Sequence, residues 1–328
     1  MPRARKPGTE WLPPRVYPGK SAYEFRPHTG ETVKLAPLTA SREAVLRRYH
    51  EELEAHERQA GSMNELINDF FKSADFRTIS PASQKKYQQN SKKVLAVFGK
   101  MSAKAVKPEH IRQYMDKRGQ TGKVAANREH AFMSRLFNWA YERGRVPVNP
   151  CRGVRKFSEK SRDRYISDAE YTAVYNAADQ LTQAIMEISY CCAARISDVL
   201  ALTVDQETPD GLYIKQGKTG KAQIKQWSPR LQAAVAHAKA AQTHRSTHRI
   251  VANHIGQKLT YDAFRERWDK ARRTAQANHP ELKIDFTFHD IKAKAISDWD
   301  GDKKAMSGHK SDSQIAVYDR KPHQSPTH

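Results

Sequence analysis

Helix-spaced apolar residues in the middle of the chain limit what it can fold into. Between residues 62 and 143, apolar side chains recur every three or four positions in four successive runs, a spacing that brings them onto one face of each helix. The runs are marked by Leu66, Ile67, Phe70 and Phe71; by Tyr87, Val94, Leu95 and Phe98; by Ile111, Tyr114 and Met115; and by Phe132, Leu136, Phe137, Trp139 and Ala140. The pattern predicts a helical domain whose last helix stops at Gly144, a residue type suited to a helix C-terminus.

The segment before this domain has a different texture. Short strand-like stretches at residues 16–17, 23–26 and 32–35 are followed by a helical pattern that Thr39 or Ser41 can cap and that runs through Arg58. Residues 28–31 form the expected turn between the last two strands. We therefore expect a small sheet plus one helix.

The last half of the chain mixes both kinds of element. A basic connector at residues 152–156 and a polar stretch at 158–164 lead into helical patterns at 168–180, 181–202, 229–242, 261–277, 289–298 and 311–318. Strand-like residues 212–215 and 223–227 flank a Gly-Lys-Thr-Gly turn and should pair as a hairpin. The predicted fold class is mainly α with small β elements (α+β), in three domains spanning residues 1–61, 62–158 and 159–328.

The charge balance indicates the class of partner. The chain of 328 residues has 57 Lys and Arg against 36 Asp and Glu, a net charge of +21, so nucleic acid is the leading candidate. Charge alone does not separate an enzyme from a ribosomal, RNA-binding or chromatin protein. Three cysteines, of which Cys191 and Cys192 are adjacent, cannot build a disulfide framework and fit a reducing cytosol. No apolar run approaches membrane-spanning length, so we expect a cytoplasmic protein with no membrane partner.

Five short signals follow one another in the last half of the chain. They are the segment 194–202 around Arg195 and Asp198, the turn 217–220 with Lys218, the segment 288–292 with His289 and Lys292, the Ser-Gly-His triplet ending at His309, and Tyr318. In this order they resemble the tyrosine recombinase family, whose pattern ends in a tyrosine nine residues after the last His or Trp. Tyr318 stands nine positions after His309.

The chemistry of phosphodiester cleavage needs the residue types that these signals contain. A planar guanidinium such as Arg195 can bind two phosphate oxygens at once, and His309 can donate to the same phosphate. A phenol is a poor nucleophile at neutral pH unless a base accepts its proton, and His289 is the candidate base for Tyr318. Asp198, one helical turn after Arg195, is placed to orient that arginine.

The resemblance assigns the remaining proton transfer to a hairpin lysine. It implies that Lys218 protonates the departing 5′ oxygen, and Lys221 is the alternative within reach. It also implies a 3′-phosphotyrosyl intermediate at Tyr318 with no cofactor and no metal. His237, His244, His248 and His254 lack the tight spacing of a zinc site, and Cys191 and Cys192 fit apolar packing rather than metal or redox chemistry.

One position departs from the family pattern. Lys292 stands where the family normally has a second arginine, and lysine keeps the charge while losing the bidentate fork. The loss of a comparable donor typically costs about 10²–10³ in rate. The favoured interpretation is a working variant, since the other signals are intact. The alternatives are a weakened relative that acts as a DNA-binding regulator or architectural protein, and a type IB topoisomerase.

The resemblance extends over the rest of the chain. Residues 62–157 are similar to the family's core-binding domain, and residues 11–26 to the arm-binding domain of lambda-type phage integrases. The resemblance implies a homotetramer on double-stranded DNA with core and arm attachment sites, assisted by DNA-bending proteins or an excisionase. Candidate DNA contacts are Arg3, Arg5 and Lys6 at the N-terminus and Arg152, Arg155 and Lys156 in the connector.

Overall fold

The structure is a computed structural model that describes residues 8–27, 31–59, 61–160, 162–242, 248–322 and 326–327. The chain divides into two compact units, residues 1–159 and 160–328. Arg3, Arg5, Lys6, the tip of the turn predicted at 28–31 and His244 lie outside the described residues.

The first unit begins with a three-stranded antiparallel sheet. Its strands are β1 (Val16–Pro18), β2 (Ala22–Phe25) and β3 (Val33–Pro37), in the order β1-β2-β3. Helix α1 (Arg42–Gln59) follows, and Ser41 Oγ accepts a hydrogen bond from the amide of Ala44 at 3.2 Å. The small core contains Leu12, Val16, Phe25, Leu35, Val45 and Tyr49. The predicted strands and helix are confirmed, and Ser41 rather than Thr39 precedes the helix.

Four helices complete this unit. They are α2 (Met63–Lys72), the short α3 (Ala74–Arg77), α4 (Pro81–Phe98) and α5 (Pro108–Glu142). Helix α5 is interrupted at Gly122, whose backbone is extended, so the two helices predicted here are the two halves of one kinked element. Glu129 holds the halves together because it accepts from Tyr114 at 2.7 Å and from Arg118 at 3.0 Å. Phe132, Leu136, Phe137, Trp139 and Ala140 are buried as predicted.

The basic connector packs against this unit. The side chain of Asn127 bonds both the amide and the carbonyl of Phe157, at 2.9 and 2.8 Å. The Phe157 ring lies so close to Gly119 that a Cβ there would sit 2.3 Å from it. The connector is thus ordered through Phe157 rather than a free linker. The sheet and the four helices have separate apolar clusters within one unit, and the three-domain division stays a prediction.

The helices and strands of the second unit pack around one large apolar core. Its elements are α6 (Asp168–Ala177), α7 (Gln180–Cys192), α8 (Ile196–Val199), β4 (Glu207–Thr208), β5 (Gly211–Lys215), β6 (Ala222–Gln226), α9 (Pro229–Ala240), α10 (Tyr261–Asn278), α11 (Phe288–Asp298), α12 (Lys303–Ser307) and α13 (Asp312–Tyr318). Strands β5 and β6 pair as the predicted hairpin, with β4 added on the other side of β5. Strand β4 and helix α12 were missed because each is too short to show periodicity.

Helix α7 ends earlier than the sequence predicts. The prediction of one helix over 181–202 is wrong, because the chain leaves the helix at Ala193, which has a left-handed φ of 46°. Cys192 is buried and Cys191 packs against the same core, with burial raising the pKa of both thiols. None of the helices in the described part of the chain is long and apolar enough to cross a bilayer.

Candidate active site

The break between α7 and α8 exposes the start of a short helix and places Arg195 there. Arg195 is the residue immediately before α8, with extended backbone, and its side chain is only 15% exposed. Its Nη1 donates to Gln216 Oε1 at 3.0 Å and lies 4.0 Å from Asp198 Oδ2. The helix break, rather than a continuous helix face, therefore aims the guanidinium toward the hairpin.

Asp198 orients the hairpin as well as the arginine. Its Oδ1 accepts the amide of Gly217, the first residue of the turn, at 3.0 Å, while Oδ2 faces Arg195. The contact with Arg195 is the one that sequence spacing predicted, and the contact with Gly217 is an additional one that spacing did not indicate. The supporting role of Asp198 stays a prediction. Lys218, next along the turn, is exposed, and Lys221 is half-buried.

Helix α11 contributes a buried lysine and an exposed histidine. Lys292 is only 1% exposed, and desolvation together with the nearby charges of Arg195 and Lys225 lowers its pKa to about 7. His289 lies near the start of the same helix. Desolvation lowers the pKa of His289. The negative charge of Asp290 raises this pKa, and the positive charges of Lys292 and Arg195 lower it further. The ring is therefore neutral near pH 7 and can accept a proton.

His309 follows the end of helix α12. Gly308 ends that helix with a left-handed φ of 71°, which turns the next residue back toward the hairpin. Ser307 Oγ lies 2.8 Å from Nδ1 of His309, whereas Nε2 is buried without a hydrogen-bond partner among the described residues. Burial, Lys292, Arg195 and Lys221 lower the pKa of His309 to about 4. When Ser307 donates to Nδ1, the ring proton is on Nε2, which can donate to an anion.

Tyr318 meets both histidines. Its phenolic oxygen lies 3.3 Å from His289 Nε2, and its ring stacks on His309 with centroids 4.7 Å apart and planes 28° from parallel. Lys292 Nζ lies 5.8 Å from the centroid of the same ring. The residues outside the hairpin turn that were predicted to be catalytic therefore form one group joined by contacts or charge interactions: Arg195, His289, Lys292, His309 and Tyr318.

A cavity of about 290 Å³ opens beside this group. Arg195, Lys218, Lys221, His309 and Tyr318 all line it. Both candidate lysines of the hairpin thus face the same space, and the geometry leaves the choice between them open. The positive side chains of Arg195, Lys218 and Lys221 that line this cavity suit an anion such as a phosphodiester.

Several residues that complete the site were not predicted. Lys225 donates to the carbonyl of Met306, and Gln216 links Arg195 to the carbonyl of Ser307. Arg320 pairs with Asp290, and Lys303 pairs with Asp319 at 2.7 Å, so the residues after Tyr318 are held on both sides. The sequence signal that could have found four of them is that each lies within two residues of a predicted site residue: Gln216, Asp290, Asp319 and Arg320.

The other predicted DNA contacts that the structure describes belong to the first unit. Arg152, Arg155 and Lys156 are exposed on the first unit, and Arg155 also accepts a hydrogen bond from Arg112 through its carbonyl. Their role in DNA binding stays a prediction. Among the described residues, no group of three or more His, Cys, Asp or Glu side chains is arranged to hold a metal ion.

Comparisons with known proteins agree with this arrangement. No family model matches the chain. The integrase of Escherichia phage HK022 is 27% identical over 198 residues, which cover 56% of this chain and 54% of that protein, so the chain spans about half the length of this curated relative.

Solved structures match over more of the chain. A lambda integrase dimer bound to a COC′ core site aligns with a TM-score of 0.68 and 18% identity, covering 97% of this chain and 98% of that one. A lambda integrase tetramer bound to a Holliday junction gives 0.66 and 18%, covering 92% and 97%. The Tn1549 transposon integrase in complex with circular intermediate DNA gives 0.64 and 12%, covering 80% and 96%. These likenesses establish the fold. The chain is thus similar in sequence to the phage HK022 integrase and in fold to lambda integrase, in agreement with the resemblance of its motifs to tyrosine recombinases.

Proposed function

We propose that the chain is a site-specific DNA recombinase that cleaves and rejoins DNA through a covalent bond at Tyr318, integrating or excising a mobile element. The observation that carries the proposal is the contact between Tyr318 and His289, 3.3 Å long, beside a cavity lined by Arg195 and His309. The residues proposed as nucleophile, base and phosphate-binding groups are thus close to one another. A DNA-binding regulator would not need this combination.

The first step is an exchange of ester bonds at phosphorus. The Tyr318 oxygen attacks the scissile phosphate, His289 accepts the phenolic proton, and the bond from phosphorus to the 5′ oxygen breaks. Arg195 and Lys292 neutralise the non-bridging oxygens, and His309 donates to them through Nε2. The product is a 3′-phosphotyrosyl ester and a strand that ends in a 5′ hydroxyl.

The leaving oxygen requires a proton, and the hairpin lysine supplies it. Lys218 is the first candidate because the turn that carries it is anchored to Asp198, and Lys221 lines the same cavity. A 5′ hydroxyl from a partner strand then attacks the phosphotyrosyl ester and restores Tyr318. Because one ester replaces another, rejoining needs no nucleotide cofactor.

Double-stranded DNA is the proposed partner, with a homotetramer as the working assembly. The net charge of +21 supports the first point, and the likeness to a lambda integrase tetramer on a Holliday junction supports the second. In the same proposal, residues 1–61 bind arm sites, residues 62–158 bind core sites with Arg152, Arg155 and Lys156 beside phosphates, and residues 159–328 perform the chemistry. Arg3, Arg5 and Lys6 would follow the arm DNA, and an excisionase or DNA-bending proteins would assist.

The test uses DNA from the region that flanks the gene. Nicked fragments of this DNA are incubated with the protein, denatured, and the fragments that stay attached to protein are sequenced. Two duplexes with the captured sequence are then assayed for reciprocal joining. The proposal expects both capture and joined products. Salt-sensitive binding without capture would favour the regulator, and relaxation of plasmids without sequence preference would favour the topoisomerase.

A further inference from the structure

The end of helix α12 is held by side chains of the β5–β6 hairpin. A helix leaves its last carbonyl groups without partners inside the helix, and burial of such groups is costly unless another donor reaches them. Here Gln223 Nε2 donates to the carbonyl of Ala305 at 2.7 Å, Lys225 Nζ donates to that of Met306, and Gln216 Nε2 donates to that of Ser307 at 3.2 Å. These three hydrogen bonds therefore fix the hairpin to the segment that contains His309.

Gln216 differs from Gln223 and Lys225 because its other polar atom, Oε1, also accepts hydrogen bonds. Its Oε1 accepts from Arg195 at 3.0 Å and from Thr219 Oγ1, within the lysine turn, at 2.9 Å. The residue is only 8% exposed. One amide side chain thus contacts Arg195, the turn that carries Lys218, and the carbonyl two residues before His309.

The side chain of Gln216 is tightly packed against its neighbours. Gly308 approaches it so closely that a Cβ there would lie 2.9 Å from Gln216 Nε2 and 2.4 Å from Gln223 Oε1. The backbone of Gln216 also closes the turn, because its amide donates to Lys221 and its carbonyl accepts from Gly220, both at 2.8 Å. The backbone bonds shape the turn, and the side chain fixes where the turn lies relative to Arg195.

We propose that Gln216 is a positioning residue that holds the proton-donating lysine turn in register with Arg195 and His309. The inference rests on the proposed function and deepens it. Phosphate binding and leaving-group protonation must occur at one phosphate, and a displacement of about 1 Å can cost roughly 10² in rate. A side chain bonded to both groups prevents that displacement without touching DNA.

The test compares two leaving groups. Cleavage rates are measured on captured-site DNA with an ordinary 5′ oxygen and on the same DNA with sulfur at that bridging position, because a thiolate leaves without a proton. The variant Gln216→Met has nearly the same length but no hydrogen-bonding groups. The matched control is Gln223→Met, which contacts the same helix end but neither Arg195 nor the turn. Gln216→Glu keeps the acceptor and covers the case in which Gln216→Met does not fold, as judged by circular dichroism.

We expect Gln216→Met to slow cleavage of ordinary DNA by about 10²-fold and to raise the sulfur-to-oxygen rate ratio at least about tenfold. Gln223→Met should leave that ratio near the wild-type value, whereas Gln216→Glu, which has no donor for the Ser307 carbonyl, should raise it. If Gln216→Met does not fold, an unchanged ratio in a folded Gln216→Glu protein overturns the inference. A Gln216→Met protein that slows both substrates equally, or neither, overturns the inference while leaving the recombinase proposal intact. Failure of the wild-type protein to cleave either substrate overturns both.

Discussion

Asp290 and Arg320 form an ion pair 2.8 Å long in which each side chain is only 6% exposed. Asp290 directly follows His289, and Arg320 lies two residues after Tyr318, so the pair joins the segments of the candidate base and nucleophile. Ser297 adds to the connection, because its hydroxyl donates to the Tyr318 carbonyl at 3.0 Å and accepts from the Arg320 amide at 2.7 Å. Tyr318, the candidate nucleophile, is thus held against helix α11 of its own chain.

Removal of Arg320 should destabilise the protein and slow covalent attachment to DNA. Arg320→Ala leaves a buried carboxylate with one fewer partner, and we expect a loss of about 3 kcal/mol in the free energy of unfolding, measured by urea denaturation. Arg162→Ala is the matched control, because Arg162 bonds the same carboxylate at 3.0 Å while 60% exposed. It should cost less than about 1 kcal/mol. Equal losses in the two variants would contradict the assignment of the buried pair.

Lys292 should make stability depend on pH. Its pKa of about 7 lies below the ordinary value of 10.5, so between these pH values the unfolded chain holds more protons than the folded chain. The free energy of unfolding therefore rises with pH across this window. Lys292→Met should remove the rise and stabilise the protein by on the order of 4 kcal/mol at pH 6, with little gain at pH 10. Lys283→Met, at a site 74% exposed, is the control and should change neither value. An unchanged slope in Lys292→Met would contradict the buried charge.

Lys292→Arg should change how cleavage depends on pH. Arginine stays charged throughout, whereas Lys292 in the free protein loses its proton as pH rises through about 7. The ratio of the variant's cleavage rate to the wild-type rate should therefore rise between pH 6.5 and 8.5, by roughly 3- to 30-fold. Single-turnover rates at subsaturating DNA, which report the ionisation of groups in the free protein, give this ratio, in which effects of pH on the other groups cancel. A ratio that is constant with pH would show that Lys292 is not the group that limits phosphate neutralisation.

Substitution should distinguish the catalytic roles of the two hairpin lysines. Lys218→Ala should slow cleavage of ordinary DNA by about 10²–10⁴-fold if Lys218 is the general acid, and sulfur at the bridging position should restore most of the rate. Lys221→Ala should then give a smaller loss that sulfur does not restore. The opposite pattern would transfer the role to Lys221, which the cavity also admits.

Sequence patterns predicted the elements that are long or repeat regularly. The strands near residues 16–37, the helices that contain Phe70, Phe98 and Phe137, and the β5–β6 hairpin all appear where periodicity placed them. The order and spacing of Arg195, His289, His309 and Tyr318 predicted a group that the fold does assemble. Regular spacing works here because it reflects which face of an element is buried.

Contacts between distant residues could not be predicted in this way. No glycine or proline marks the helix break at Ala193. The sequence therefore predicted a continuous helix, whereas a second helix, α8, follows Arg195. The burial of Lys292 depends on packing from several elements, and the three carbonyl contacts at the end of α12 depend on a hairpin about 80–90 positions earlier. Local propensity carries no information about such pairs.

Covalent recombination through Tyr318 is tested most directly by identifying which residue becomes attached to DNA. Captured DNA adducts are digested with protease, and the peptide that carries the nucleotide is identified by mass spectrometry for the wild-type protein, Tyr318→Phe and the control Tyr261→Phe, whose tyrosine is 56% exposed on another helix. We expect a nucleotide on Tyr318, joined through the 3′ phosphate, in the wild-type and Tyr261→Phe proteins and no adduct in Tyr318→Phe. An adduct that persists in Tyr318→Phe, or a wild-type protein that binds the DNA without forming one, would contradict it.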